Sequence, residues 1–491
     1  MELFGLLNTL EHEVVQGTIR RKIGKVTNDS RNIEAEDVFV CIKGYRQDGH
    51  DKIPEALQNG AGTIVVERKI QETIPCDITI IMVPDTRYAL AVLSAAQYEY
   101  PAESLKIIGV TGTKGKSTVA CMIHQILNGL GHKTGLIGTI QVDTGAQIYK
   151  AANTTPESLE LQKYLKEMVE ENCEYVVMEV SSQGLKLHRT AGISFEVGIF
   201  TNMGIDHISP TEHKDFEEYL SCKKKLFHQC KAGVGNIDDP YYEEVFSNTV
   251  YPKITYSIKN TEADYFAEDI HKIKTNQRLG CEYVYREGRK KYKIELPIPG
   301  EFNIYNSLAV IAVLRKLGIT NEEIILGMQQ VKIPGRLEKI EGIYDCMLYI
   351  DYAHNGMSLK KVLQMFRSYE PERKVVIFGC GGDRAKDRRY DMGRVAGEYA
   401  DLTIITTDNP RYESPAQIIK DIEKGIKKTK GIYQIIPDRK QAIRYAIENR
   451  KSGDVILIAG KGHETYQEIK GIRYKMDDRQ LIAAIIQEMN N

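Results

Sequence analysis

Net charge is almost absent from this sequence. Its 491 residues hold 66 Lys and Arg against 67 Asp and Glu, a balance of −1. A generic nucleic-acid binder carries a basic excess, so that class is excluded, and local basic pockets for small anions are what remains. Long apolar runs are also missing. No stretch approaches the roughly 18 residues of a membrane span. The opening MELFGLLNTLEHEVV meets acidic residues too soon for the apolar core of a signal peptide, so a cytoplasmic protein is expected. Cysteine is sparse: nine residues, an odd number, with no Cys-x-x-Cys pair. A disulfide framework or a zinc site is therefore not expected. No internal repeat and no low-complexity tract is present. Hydrophobic residues make up 42% and charged residues 27%, an ordinary folded composition. At roughly 100–200 residues per domain, the length suggests about three domains.

The first hundred residues mix short apolar runs (Asp37 to Cys41, Thr63 to Val66, Ile78 to Val83) with turns, and Pro101 marks a boundary after a helical stretch, Tyr88 to Tyr98. A second region opens with the apolar strand Ile107 to Val110, a Gly-rich turn and an amphipathic helix through Val119, Met122, Ile123 and Ile126. Strands recur at Tyr175 to Val180 and Val197 to Thr201, and strands alternating with helical patterns indicate a parallel α/β sheet. Alternating residues at Tyr283 to Tyr285 and Tyr292 to Leu296 suggest a small antiparallel insertion, followed by a helix from Asn306 to Leu317. From Gly335 onward the pattern is regular. Strands at 347–350, 375–378, 402–406, 433–436 and 455–458 alternate with helices at 359–368, 392–399, 415–427 and 439–449. That is a doubly wound α/β domain, whose ligands bind at the carboxyl ends of the strands. The expected divisions are 1–101, 102–334 and 335–491.

The strongest chemical signal is Gly109-Val110-Thr111-Gly112-Thr113-Lys114-Gly115-Lys116-Ser117-Thr118, between a strand and a helix. Backbone N–H groups of such a loop cradle phosphates at the helix N-terminus. Lys116 would reach the β- and γ-phosphates and Ser117 a magnesium ion. The strict pattern has Gly where Val110 stands. Glu179 ends a buried strand, and beside a phosphate loop it is a natural magnesium partner. Asp206-His207 follows another strand. Lys223 lies in the run Lys223-Lys224-Lys225, and a solvated basic face is the default reading of such a run.

These segments, together with Asn153-Thr154-Thr155-Pro156, Phe302-Asn303-Ile304-Tyr305-Asn306, Gly335-Arg336-Leu337-Glu338 and Asp351-Tyr352-Ala353-His354, resemble the Mur ligases, ATP-dependent amino-acid ligases of peptidoglycan synthesis. Order and spacing match from about residue 20 to the C-terminus. Asn28-Asp29-Ser30-Arg31 with Gly44-Tyr45-Arg46-Gln47-Asp48-Gly49 looks like the uridine-nucleotide site of the branch that adds the third residue of the stem peptide. Asp408-Asn409-Pro410-Arg411 with Gly460-Lys461-Gly462-His463-Glu464 looks like the amino-acid site of that branch. The segment His207 to His213 is two residues longer than the branch pattern.

The resemblance implies an α/β fold of three domains: an N-terminal uridine-nucleotide domain, a central phosphate-loop ATPase domain and a C-terminal Rossmann-like domain. Gly112, Thr113, Lys114, Gly115, Lys116, Ser117 and Thr118 would hold ATP, with Asn306, Arg336 and Asp351 serving the same nucleotide. Magnesium would be held by Ser117, Glu179, His207 and Lys223, the last as a carbamate. Lys116, Glu179, His207 and Lys223 are thus the implied catalytic set. Asn28, Ser30, Asn153, Thr154, Thr155, Ser181 and Arg189 would hold UDP-MurNAc-L-Ala-D-Glu. Arg384, Asp408, Asn409, Pro410, Arg411, Gly460 and Glu464 would hold the incoming amino acid. That amino acid is expected to be meso-diaminopimelate, because a guanidinium at Arg411 can grip its second carboxylate with two hydrogen bonds. L-Lysine or another amino acid remains the alternative, as does a related folylpolyglutamate-type ligase, against which residues 20–50 speak. A monomer is expected.

Overall fold

The structure, a computed structural model, describes residues 1–491 except Arg46, Glu72, His207, Pro210, Thr211, Asn276 and Asn491, and omits the side chain of Asn490. The chain forms two compact units. One comprises Met1–Phe266 with Leu308–Ile319, the other Ala267–Ser307 with Thr320–Asn491.

The first unit holds two sheets. The N-terminal sheet runs in the order Glu13–Gln16, Thr79–Met82, Thr63–Val66, Val38–Val40, Val26–Thr27, and only the first strand is antiparallel. Thr63–Val66 is buried on both faces, which is why it reads as an unbroken β-branched run. Asp85 starts the helix Thr86–Gln97 by accepting from the N–H groups of Arg87 and Tyr88 at 2.8 and 2.9 Å.

The second sheet of this unit has the order Lys253–Ser257, Gly233–Asn236, Val197–Phe200, Lys106–Thr111, Tyr175–Glu179, Thr134–Ile137, all parallel. Two short antiparallel strands, Val142–Asp143 and Ile148–Tyr149, extend one side. Lys106–Thr111 lies centrally, and later strands are added on both sides of it. Its carboxyl end is therefore a topological switch point, where open α/β sheets bind ligands.

In the second unit, six strands run in the order Glu338–Ile340, Met347–Asp351, Asp454–Ala459, Arg373–Phe378, Leu402–Ile405, Tyr433–Ile435. All pair in parallel except the first. The expected antiparallel insertion is present as Leu279–Glu287 paired with Lys290–Leu296. The helix Asn321–Met328, the strand Glu338–Ile340, the hairpin Tyr466–Ile469/Ile472–Lys475 and the helix Asp478–Asn490 carried no sequence expectation. The buried pair Arg439–Asp478 anchors that helix with two guanidinium hydrogen bonds of 2.8 and 2.7 Å. The helix expected at 392–399 begins earlier, at Lys386, so that Arg389, 1% exposed, can pair with Glu413 and Asp421. All nine cysteines are free thiols. Among the described residues, no helix is long and apolar enough to cross a membrane.

The helices Lys386–Tyr399 and Pro415–Ile426 approach closely because glycines stand at their crossing. A Cβ on Gly425 would lie 2.0 Å from the Tyr390 carbonyl oxygen, and one on Gly393 would lie 2.1 Å from that of Ile422. Helix propensity alone favours Ala over Gly by about 1 kcal/mol. Overpacking against rigid backbone costs about 1–3 kcal/mol. Gly425→Ala should therefore destabilise the protein despite the better helix former, seen as a lower urea midpoint. A raised midpoint would mean that the crossing relaxes freely.

Candidate active site

Two glycines shape the central loop. Gly112 has φ +145° and a Cβ there would sit 1.9 Å from Thr201 Oγ1, while Gly115 has φ +90° at the N-cap of the helix Lys116–Gly129. No other residue fits both positions. The neighbouring strand end holds the loop in shape. Thr113 N–H donates to the Asn202 carbonyl (2.8 Å), Lys114 N–H donates to Asn202 Oδ1 (2.9 Å), and Thr201 Oγ1 donates to the Lys114 carbonyl (2.7 Å). Lys114 Nζ reaches Asp206 at 3.1 Å, and Lys116 Nζ folds back to the Gly112 carbonyl at 2.9 Å.

Glu179 ends the adjacent strand and is 2% exposed. Its carboxylate accepts from Ser117 Oγ (2.9 Å), from Thr139 N–H (2.8 Å) and from Thr139 Oγ1 (3.2 Å). Gly138 leaves the room, since a Cβ there would lie 2.5 Å from Glu179 Oε1. Among the described residues, all these donors are neutral, so a buried carboxylate stands beside a hydroxyl with no cation on it. That donor set, a hard carboxylate and hydroxyl oxygen at the phosphate loop, fits a magnesium ion. Among the described residues no three His, Cys, Asp or Glu are grouped for a metal. His207 lies outside the described residues.

Lys223 departs from the solvated reading of its run. It is 1% exposed, whereas Lys224 and Lys225 are partly exposed. The helix Phe216–Phe227, capped by Asp215, turns it inward. Its Nζ donates to the Gly112 carbonyl at 2.9 Å and lies 4.6 Å from the Tyr219 ring centroid. Tyr219 OH in turn meets Thr113 Oγ1 at 3.1 Å. Burial, and then the nearby Lys116 charge, push the Lys223 amine well below the ordinary lysine range.

A third loop closes on the same strand end. Thr155 Oγ1 donates to the Glu179 carbonyl (2.9 Å) and accepts from Ser181 N–H (2.9 Å). Ser181 caps the helix Ser182–Lys186, and Arg189 Nη1 donates to the Thr155 carbonyl (2.8 Å) while Nη2 pairs with Glu157. Thr154 meets Thr139 at 3.0 Å, oxygen to oxygen, and Asn153 is exposed. The structure thus brings Thr154, Thr155, Ser181 and Arg189 together beside Glu179.

Just after the N-terminal sheet's edge strand Val26–Thr27, Asn28 is exposed and Ser30 is buried, its hydroxyl 3.1 Å from Glu55. A cleft of about 400 Å³ is lined by Lys43, Glu67, Pro84, Asp85 and Arg87. These residues follow three consecutive parallel strands, and that placement is the signal which could have singled them out from sequence.

In the second unit, Asp351 accepts from the N–H groups of Leu337 and Ala353, both at 2.8 Å, and burial raises its carboxyl against the opposing pull of Arg336. Arg336 stacks over the Tyr352 ring, 4.8 Å from its centroid, and Asn306 Nδ2 donates to Asn303 Oδ1 at 3.0 Å. Asp408, Asn409 and Pro410 are buried, and Arg411, at φ +49°, donates through Nη1 to the Gly382 carbonyl (2.7 Å) with Nε 3.5 Å from Glu468. Gly460 leaves room for Asp408, since a Cβ there would lie 2.8 Å from Asp408 Oδ2. Glu464 accepts from Asn409 Nδ2 at 2.8 Å and pairs with Lys461 at 3.2 Å. Arg384 is exposed.

Three family models cover this chain: the Mur ligase family catalytic domain at residues 22–98, the Mur ligase middle domain at 110–314 and the Mur ligase glutamate ligase domain at 335–462. The chain belongs to the Mur ligase family. A UDP-N-acetylmuramoyl-L-alanyl-D-glutamate–2,6-diaminopimelate ligase of Caldanaerobacter subterraneus subsp. tengcongensis is 41% identical over 489 residues, 99% of each chain. The ligase of the same name from Clostridium perfringens is 43% identical over 495 residues, covering 99% of this chain and all of its own. A solved structure of a ligase with this name superposes with a TM-score of 0.72 at 27% identity, over 100% of this chain and 99% of that one. The fold is accordingly the three-domain Mur ligase architecture, and this Mur ligase is an ATP-dependent ligase.

Lys116→Ala should leave the fold intact, because the hydrogen bonds it gives to the Gly112 and Thr113 carbonyls lie within its own loop. Its kcat should fall by about 100-fold or more, as for other losses of a preorganised charge at a reacting group. Near-normal turnover in the purified variant would remove Lys116 from the chemistry.

Proposed function

We propose that this Mur ligase joins meso-diaminopimelate to UDP-MurNAc-L-Ala-D-Glu in the cytoplasm, converting ATP to ADP and phosphate. The observation that carries the reading is the meeting of the phosphate loop, the buried Glu179 and the Thr155–Ser181–Arg189 cluster at one sheet edge. It is joined by full-length relatives at about 40% identity that bear this ligase's name. The proposed division of labour is 1–101 for the uridine end, 102–334 for ATP and 335–491 for the amino acid. Asn28, Ser30 and the cleft beside Lys43 and Arg87 take the uridine diphosphate, and Asn153, Thr154, Thr155, Ser181 and Arg189 take the peptide end. Asn306, Arg336 and Asp351 are assigned to ATP by the family resemblance.

A carboxylate is a poor electrophile, and activation solves that. An oxygen of the terminal glutamate carboxylate attacks the γ-phosphorus and ADP departs. Lys116 stabilises the negative charge that spreads over the transferred phosphoryl group, and loop N–H groups hold its oxygens. The neutral amine of the amino acid then attacks the acyl carbon, the C–O bond to phosphate breaks, and the nitrogen releases one proton as the amide and inorganic phosphate form. Ser117, Glu179, His207 and a Lys223 carbamate would hold magnesium, which would supply further charge stabilisation at the phosphates.

The depressed basicity of Lys223 explains how a carbamate can arise there. Only the neutral amine attacks CO2. The nitrogen lone pair bonds to carbon, one N–H proton is released, and a cation site becomes an anion. Burial, and then the Lys116 charge, shift Lys223 away from the ordinary lysine range and toward the neutral amine that this step needs. Protein equilibrated with ¹³C-bicarbonate should show a carbamate carbon resonance that vanishes in Lys223→Arg. A spectrum without that resonance, from enzyme that is turning over, would overturn the assignment.

The amino-acid preference rests on Arg411. Its Nη1 and Nε are engaged within the loop, and Nη2 has no partner among the described residues. A second carboxylate on the ligand would fill that position. L-Lysine would leave it unpaired, and sites built for a missing polar group discriminate by up to about 10⁴-fold. Diaminopimelate should exceed lysine in kcat/KM, and Arg411→Ala should shrink the ratio. A preference for lysine, or a ratio unmoved by the substitution, would defeat the assignment.

A further inference from the structure

Lys461 has no room to act from the surface. It is 0% exposed, and its Nζ donates to Asn409 Oδ1 (3.2 Å), Glu464 Oε2 (3.2 Å) and the Tyr466 carbonyl, with the Tyr466 ring centroid 5.4 Å away. An ammonium has three donors, and here all three are taken by acceptors. The consequences pass to its neighbours. Asn409 Oδ1 also accepts from Glu468 N–H at 3.0 Å, so two donors face that oxygen and fix which way the amide points. Nδ2 must then face Glu464 Oε2, to which it donates at 2.8 Å. Glu464 Oε2 thereby accepts twice, and among the described residues Oε1 has no hydrogen bond. Charges of both signs meet around this point. Lys461, Arg411 and Arg473, the last stacked 4.6 Å from the Tyr466 centroid, offset Glu464, Glu468 and Asp408. The buried Arg439–Asp478 pair cancels internally.

We propose that Lys461 is a positioning and specificity-determining residue: it aims Glu464 Oε1 and the Asn409 amide, and by neutralising Glu464 it makes the pocket select a zwitterionic distal end over a lone ammonium. The proposal rests on the reading of Asp408 to Arg411, Gly460 and Glu464 as the amino-acid site. With Glu464 paired to Lys461 and Arg411 to Glu468, an ammonium and a carboxylate are accepted together: Glu464 Oε1 receives the first and Arg411 Nη2 the second. A lone ammonium brings an uncompensated charge. Removing Lys461 leaves the pocket with an excess negative charge, which penalises the carboxylate-bearing amino acid and favours lysine.

The test measures kcat/KM for meso-diaminopimelate and L-lysine in wild type, Lys461→Met and Glu464→Gln. Lys461→Met should lose about 10- to 100-fold on diaminopimelate, mostly as a raised KM, and less on lysine, so the selectivity ratio falls about tenfold or more. A merely structural lesion lowers both substrates equally and leaves the ratio unchanged, which would overturn the proposal. Glu464→Gln separates the two layers. If it lowers kcat/KM for diaminopimelate while Lys461→Met leaves selectivity intact, the site reading stands and the role of Lys461 is wrong. If Glu464→Gln changes nothing, the site reading fails and the proposal with it. Should Lys461→Met not fold, wild-type enzyme decides with diaminopimelate amidated at its distal carboxylate. That analogue should be used as poorly as lysine, and use equal to that of diaminopimelate would overturn the proposal.

Discussion

Two lysine side chains converge on one carbonyl oxygen, that of Gly112. Lys116 Nζ and Lys223 Nζ each donate to it at 2.9 Å. Two full positive charges that close, one of them buried, are unfavourable, so the buried amine gives up its proton more readily. The rest of the central site follows from this crowding. Gly112 itself must be glycine because the loop passes so near Thr201. The helix Phe216–Phe227 must be anchored by Asp215 at its start to carry Lys223 inward. Tyr219, one turn before Lys223, joins that helix to the loop through Thr113.

Glu179 presents the complementary problem. It is a buried carboxylate held only by neutral donors among the described residues, and burying a charge without an opposite charge is costly. Such an arrangement is common where a ligand completes the site, because an uncompensated buried carboxylate favours binding of a cation. Phosphate groups, a divalent ion and a lysine converted to an anion would balance the loop's two lysines and its carboxylate together.

The proposed amino-acid end uses the opposite strategy. Lys461 with Glu464, Arg411 with Glu468 and Arg439 with Asp478 are all paired within the protein. A buried pair is weak evidence of stability, since hydrophobic replacements often do as well, and its value lies in fixing geometry. Here the pairs orient an asparagine amide and a carboxylate whose directions would otherwise be ambiguous. Rigid polar networks of this kind suit discrimination between two ligands that differ by one carboxylate.

Much of this was legible in the chain itself. Parallel strands buried on both faces announce themselves as unbroken apolar runs, and the strand–glycine–lysine–serine–helix order is local, so three strands of the central sheet, the five parallel strands of the C-terminal sheet and the Gly-rich turn could be read from residues alone, while Thr134–Ile137, Gly233–Asn236 and Lys253–Ser257 were not. Asp85, Asp215 and Ser181 are caps whose action spans only three residues. The hairpin Tyr466–Lys475 was not read from sequence, because its anchors, Asn409 and Arg411, are distant in the chain; the helix Asp478–Asn490 went unread although Leu481, Ile482, Ile485 and Ile486 stand at helical spacing, and only its anchor Arg439 is distant. Lys223 shows the limit most plainly. Its sequence neighbourhood, three lysines in a row, indicates solvent, and only helix phase against the central sheet decides that one of the three is buried on Gly112. Lys461 is the same case: a lysine between two glycines carries no local sign of burial, and its role exists only where three separate segments deliver Asn409, Glu464 and Tyr466 to one nitrogen. Local chemistry is written in order and spacing; the protonation state of a lysine depends on what the fold packs around it.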